Sequence, residues 1–192
     1  MRLISSLAAA LVMFAGTAFA EDAKPAAAPK TDTAAAAVAD DKLVIDLKSG
    51  KVVVKLRADL APKHVAQVKT LAGQGFYNGV KWHRVIEGFM AQTGDPTGTG
   101  MGGSKLPNIP AEFTKAPFKR GTVGAARSGD PNSANSQFFI CFNSIDCKSL
   151  EGQYTVWGEV VEGMELVDKI KRGAPGSGVV TDPDVMVKVT VQ

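Results

Sequence analysis

The chain has 192 residues, 45% hydrophobic and 21% charged, which fits one globular domain with some additional chain. Its 22 Lys and Arg face 19 Asp and Glu for a net charge of +3, with no basic run, so the charge pattern makes no case for nucleic acid as a partner.

Residues 1–20 read as a signal peptide. Arg2 supplies the positive start, Leu3 to Phe14 an apolar run, and Ala18-Phe19-Ala20 a small-x-small cleavage site before Glu21. An uncleaved anchor is the alternative, but the apolar run is short for a membrane span. Cleavage removes Arg2 and takes the net charge from +3 to +2. It leaves no stable membrane insertion and predicts a periplasmic location. Residues 21–41 (EDAKPAAAPKTDTAAAAVADD) carry Val38 as their single large apolar side chain and read as a flexible Ala/Pro-rich tether. Residues 42–192 are then the folded domain.

LVIDL and VVVKL around Lys48-Ser49-Gly50-Lys51 predict two strands joined by a tight turn. Pro62 opens a helix on which Val65, Val68, Leu71 and Ala72 recur at helical spacing, and Gly73 and Gly75 end it. His64 on this helix reads as a surface or satisfied histidine without a catalytic role.

The stretch Lys81 to Gly94 (KWHRVIEGFMAQTG) organises the rest. It opens on alternation, so Arg84 falls on the face opposite Val85. Phe89 and Met90 would point apart on continuous strand, but a bend at Gly88 would turn both toward one site. An arginine beside Phe and Met is costly without a partner or a task, and the amide oxygen of Gln92 can accept from its guanidinium. Asp95 to Gly103 (DPTGTGMGG) has the look of a phosphate loop, yet it lacks the terminal Gly-Lys-Ser/Thr and no helix follows.

Residues 104–120 are irregular. GTVGAA at 121–126 predicts a small-residue strand that leaves room beside a groove, and 127–135 a polar loop. SQFFICF (136–142) predicts a strand, 143–152 a loop carrying Leu150, and YTVWGEVV (154–161) a strand. Glu162 to Ile170 predicts a short helix with Met164, Val167 and Ile170 on one face, and Val185 to Val191 a last strand. Trp157 and Phe142 are assigned to the core. Many short strands with two helices predict a mainly β fold, a closed or nearly closed antiparallel barrel capped by helices. Cys141 and Cys147 pair as a disulfide or stand as two reduced, packed thiols. The apolar run around Cys141 favours the thiols, and their spacing without a nearby His is not a zinc site.

FYNGVKWHRVIEGFMAQTGDPTGTGMGG, then SANSQFFI, then LEGQYTVWGEVVEG make the chain from about Leu43 to Val191 resemble the cyclophilin-type peptidyl-prolyl cis-trans isomerases, in particular their exported bacterial members. The resemblance implies a closed eight-stranded antiparallel β-barrel capped by two α-helices. It puts the family's catalytic arginine on Arg84, its supporting glutamine on Gln92, and the proline pocket on Phe89, Met90, Phe139 and Leu150. Substrate-binding positions fall on His83, Ala126, Arg127, Gln137 and Tyr154. Arg127 stands where the family often has Asn, Tyr154 where it often has His, and Ser149 where many members carry a Trp that contacts cyclosporin, so weak inhibitor binding is expected.

Isomerisation breaks no covalent bond and calls for no cofactor or metal. Partners expected from the resemblance are proline-containing segments of exported proteins, met by a monomer. The rival function is a non-catalytic peptide-binding or chaperone module that uses the same groove.

Overall fold

The computed structural model describes residues 41–192. The expected signal peptide, and the tether up to residue 40, lie outside the described residues.

Eight strands build one sheet: β1 (Lys42–Leu47), β2 (Gly50–Leu56), β3 (Arg84–Ile86), β4 (Met90–Thr93), β5 (Thr122–Ala125), β6 (Phe138–Cys141), β7 (Val156–Glu162) and β8 (Lys188–Val191). Their order is β3-β4-β6-β5-β7-β2-β1-β8, with antiparallel pairing throughout. β1 and β2 form the expected hairpin, with Leu47 opposite Gly50 across a two-residue turn. Gly50 has φ +139°, where a side chain would be strained. Helix α1 (Pro62–Gly73) buries His64, Val65, Val68, Leu71 and Ala72, the predicted face with His64 added.

The expected closed barrel is corrected to a curled, open one. β3 and β8 are the two edges and share no ladder. The chain between them crosses the gap by single contacts. Val180 N donates to His83 O (3.1 Å), Trp82 N to Asp184 O (2.9 Å) and Met186 N to Val80 O (2.9 Å). Isolated bridges join Arg84 to Val179 and Lys81 to Val185. A continuous ladder fails here because Asp182 adopts φ +54° and Pro183 has no N–H to donate. β8 begins at Lys188 and not at Val185, because Val185 and Met186 bond residues 79–81 instead of β1.

The second helix is also shorter than expected. Helix α2 spans Met164–Val167, after Gly163 at φ +81°. Beyond it Lys169 N bonds Leu166 O and Ile170 N bonds Val167 O, the tighter spacing of a 3₁₀ turn. Val167 and Ile170 still reach the core.

Strand alternation sorts the apolar residues into two clusters. Phe138 and Ile140 of β6, Val85 of β3 and Ala91 of β4 join the main core with Trp82 and Trp157. Phe138 meets Tyr77, Trp82 and Trp157 edge-on, with centroids 5.7, 6.2 and 5.3 Å apart, the geometry that the quadrupoles of aromatic rings favour. Phe139 and Cys141 of β6 and Met90 of β4 point the other way, into a smaller cluster with Phe118, Cys147 and Val156. Trp157 and Phe142 are core residues, as assigned.

Candidate active site

Strand register places the polar and apolar parts of one site in a single row across the sheet. Arg84 is directly opposite Gln92, Gln92 opposite Phe139, and Phe139 opposite Gly124. The neighbouring row is Ile86, Met90 and Cys141. Residues directly opposite one another lie close enough to interact, so the row needs no further device to bring Arg84 and Gln92 together. Arg84 Nη1 donates to Gln92 Oε1 at 3.2 Å, the partner anticipated from the sequence, and Arg84 Nε donates to Ser177 O at 3.2 Å.

The bend at Gly88, with φ +72°, is a hairpin turn between β3 and β4. Phe89 and Met90 therefore both face the smaller cluster and line one hollow of about 110 Å³. Arg84, Gln92, Ala126, Arg127, Phe139, Leu150 and Tyr154 complete its wall. Phe118 stacks beneath Phe139 at 5.9 Å, and the Tyr154 ring meets Phe139 edge-on at 5.8 Å. The Arg127 guanidinium lies 4.5 Å above the Tyr154 ring and donates from Nε and Nη2 to Gln153 O at 3.1 and 3.0 Å. These contacts stiffen the mouth of the hollow with an arginine laid flat on an aromatic face.

Leu150 arrives by a feature the sequence reading did not anticipate. Within the expected loop, Asp146–Leu150 is a 3₁₀ turn. Asn143 Oδ1 accepts from the N–H of Ile145 and of Asp146, both at 2.9 Å, and Asn143 Nδ2 bonds Gly88 O. The favoured expectation of two thiols is also corrected: Cys141 and Cys147 form a disulfide, with Cα atoms 6.3 Å apart. Cys147 is pulled under the turn by side-chain direction that the six-residue separation alone does not reveal.

Gln137 sits on the polar side of the row. Its Oε1 accepts from Gln92 Nε2 at 2.9 Å, and its Nε2 donates to Gly100 O and Gly102 O at 3.0 and 2.8 Å. It opens onto a second hollow of about 520 Å³, lined also by Ser104, Asn108, Asn135 and Arg127. Ala126, whose N–H bonds Gln137 O at 3.0 Å, borders both hollows.

His83 lines neither hollow. It shares the parity of Val85, so its side chain turns inward and is 6% exposed. Burial pushes its imidazole below the ordinary value, against the pull of the Asp95 charge. His64 is a buried core histidine: its Nδ1 lies 2.6 Å from Glu112 Oε2, while its Nε2 has no hydrogen-bond partner among the described residues. Burial lowers its pKa despite that carboxylate. Phe118, which the sequence reading passed over, shapes the floor of the hollow with Gly124 of the small-residue strand, and the loop after Asp95 supplies the carbonyls that hold Gln137. The sequence marked that loop by its Asp, Thr and Gly residues but not its contact with Gln137, 35 and 37 residues on.

The chain matches the model of the family described as cyclophilin type peptidyl-prolyl cis-trans isomerase over residues 42–191. A probable peptidyl-prolyl cis-trans isomerase from Brucella suis is 54% identical over 172 residues, 83% of this chain and 87% of that protein. A peptidyl-prolyl cis-trans isomerase from Helicobacter pylori is 42% identical over 133 residues, 67% of this chain and 79% of that one. Among solved structures, a cyclophilin type isomerase from Cryptosporidium parvum, crystallised in the presence of the dipeptide Ala-Pro, superposes with a TM-score of 0.72 at 27% identity, covering 79% of this chain and 98% of that one. A cyclophilin from Hirschia baltica gives 0.68 at 26% identity, over 79% and 73%.

Proposed function

The chain belongs to the cyclophilin-type peptidyl-prolyl cis-trans isomerases, and from that premise we propose that Arg84 at the rim of the Phe89–Met90–Phe139–Leu150 hollow carries the reaction on exported polypeptides. The observation that carries the residue assignment is the cross-sheet row that sets an oriented guanidinium beside an apolar hollow of about 110 Å³, room for a small ring.

Rotation about an Xaa-Pro bond is slow because amide resonance sets a barrier of ~18–20 kcal/mol. In the twisted transition state the prolyl nitrogen becomes pyramidal and gains a lone pair. A guanidinium placed there donates to that lone pair and finds little to bond in either planar ground state, so it stabilises the transition state selectively. The apolar wall holds the proline ring and excludes water, which strengthens the donation. Gln92 and Ser177 O hold the Arg84 fork at two points, and a rigid fork suits this better than a flexible ammonium. Gln137, Ala126 and the second hollow receive the extended peptide on either side of the proline. The dipeptide present with the Cryptosporidium parvum relative supports a proline-containing ligand for this site. Ser149, exposed and with its hydroxyl donating to Asp146 O, offers cyclosporin no aromatic contact, so affinity for that inhibitor is low.

Export to the periplasm and action on proteins folding there are supported by the signal-peptide pattern of residues 1–20 and by the Cys141–Cys147 disulfide, which suits an oxidising compartment. N-terminal sequencing of protein from a periplasmic fraction should start at Glu21; an intact Met1 start in the cytoplasm would refute export.

A protease-coupled assay on a short Xaa-Pro peptide tests the catalytic reading. Arg84→Ala and Arg84→Lys should each lower turnover by about a hundredfold or more, the range for losing one electrostatic stabiliser, with a smaller loss of peptide affinity. Near-normal turnover in folded Arg84→Ala protein would refute the role of Arg84.

A further inference from the structure

The polar end of the site continues past Gln137 into the loop that follows β4. Asp95 is fully buried, 0% exposed, at the root of this loop. Its Oδ1 accepts from Thr97 N and Thr97 Oγ1, both at 2.8 Å. Its Oδ2 accepts from Thr99 N at 3.0 Å, Gly100 N at 2.7 Å and Gly102 N at 3.1 Å. The loop is wound around one carboxylate. The fit is close: a Cβ at Gly102 would stand 2.2 Å from Asp95 Oδ1 and 2.8 Å from Thr97 Oγ1, so a side chain there must displace the cage.

The loop that these bonds hold in place presents the carbonyls of Gly100 and Gly102 to Gln137 Nε2. A carbonyl only accepts. Gln137 must therefore present its NH₂ to the loop and its oxygen to Gln92. Gln92 must answer with its NH₂ and is left with its oxygen toward Arg84, which only donates. The direction of the relay is thus set at both ends, by Arg84 at one and by the loop carbonyls at the other. Without the loop carbonyls, the Gln137 amide could rotate and offer Gln92 the wrong atom.

We propose that Asp95 is a positioning residue of the isomerisation: by gathering the N–H groups of Thr97, Thr99, Gly100 and Gly102 it holds the loop so that the Gly100 and Gly102 carbonyls meet Gln137, and so fixes the direction of the Gln137–Gln92–Arg84 relay. The carboxylate is suited to this task because it can only accept while ionised. Burial pushes its pKa up, but the Thr97 hydroxyl and the surrounding N–H groups overcome that push and hold it well below the usual carboxylate range. Asparagine of the same shape would bring an NH₂ against the loop N–H groups and loosen the cage.

The inference rests on the reading of Arg84 above, and the test separates the two. The unaltered protein, Arg84→Ala, Asp95→Asn, Gln92→Ala and the Asp95→Asn/Gln92→Ala double variant are assayed for kcat and KM, with folding checked by circular dichroism. Asp95→Asn should lower kcat by about tenfold or more, as expected when a reacting group is held loosely, with KM changed by less than about threefold. In the Gln92→Ala background, where the relay is already cut, the same substitution should lower kcat by less than about twofold. A role confined to loop stability would give the same loss in both backgrounds. That result, or unchanged kcat in folded Asp95→Asn, would overturn the inference alone. Normal turnover in Arg84→Ala would overturn the reading of Arg84 and the inference with it. If Asp95→Asn does not fold, Thr97→Val, which removes one hydroxyl donor and leaves the carboxylate, should show a smaller kcat loss that again vanishes without Gln92. A loss that persists there would count against the proposal.

Discussion

Phe139 can lie flat on the floor of the hollow because its cross-strand partner is Gly124. A Cβ at Gly124 would stand 2.5 Å from Phe139 Cζ and 2.9 Å from Phe118 Cε1. Gly124→Ala should therefore cost about 1–3 kcal/mol of stability, the usual range for overpacking, and should lower kcat/KM as the ring is pushed into the hollow. Urea unfolding and the peptide assay check both, and an unchanged pair of values would mean that the rings give way freely. The two histidines set a separate dependence on pH. His64 and His83 are each held below the ordinary imidazole value chiefly by burial. As pH falls from about 6.5 the unfolded chain takes up these protons before the native state does, so stability falls with pH in that window. Glu112 contributes lower down. Burial pushes its carboxyl up, but His64 and the N–H groups of Lys63 and His64 hold it below the usual range. Its stabilisation is present above the ordinary carboxylate value and lost as pH falls through its depressed native value. The urea midpoint should drop between pH 7 and pH 5.5, and His64→Gln should flatten part of that drop. A slope unchanged by His64→Gln would assign it to other groups.

At the scale of elements, the site depends on two short pieces that hold each other. The β3–β4 turn offers Gly88 O to Asn143, and Phe142 N donates to Phe89 O at 2.9 Å. Asn143 in turn caps the Asp146–Leu150 turn, and the disulfide ties Cys147 of that turn to β6. Leu150 thus forms one wall of the hollow on an element of five residues that has little core of its own. Replacing Cys141 and Cys147 together by Ala should cost about 2 kcal/mol, the loop-entropy value for so small a ring. It should also raise KM for the proline peptide as Leu150 loosens. Full retention of both stability and KM would show that the Asn143 bonds suffice.

Across the whole molecule, the open edge of the sheet lies next to the chemistry. The segment that crosses from β3 toward β8 includes Ser177, whose carbonyl accepts from Arg84 Nε. It is joined to β3 by isolated bridges, whereas β1 pairs with β2 along six residues and with β8 along four. Amides in single contacts open more readily than those inside ladders. The amides of Val180 and Met186 should therefore exchange with deuterium well before that of Ile45, in the middle of β1. Equal protection would mean that the gap opens only with global unfolding.

Sequence by itself determined the local faces and the chemistry they carry. Alternation separates Arg84 from Val85 and Phe139 from Phe138; Gly88 supplies the turn; helical spacing from Pro62 defines α1; and the choice of Arg, Gln, Phe and Met marks a site. Those features depend on neighbours a few residues away, where the period of the backbone fixes direction. What only the tertiary structure decided are pairings across long separations: His64 with Glu112, 48 residues on, and Gln137 with Gly100 and Gly102, 37 and 35 residues back. The disulfide and the open edge belong with these. The first follows from where two side chains point, and the second from one left-handed residue and a proline that interrupt a ladder. Such outcomes are set by strand register and by the packing of irregular loops, and no periodicity in the chain encodes them.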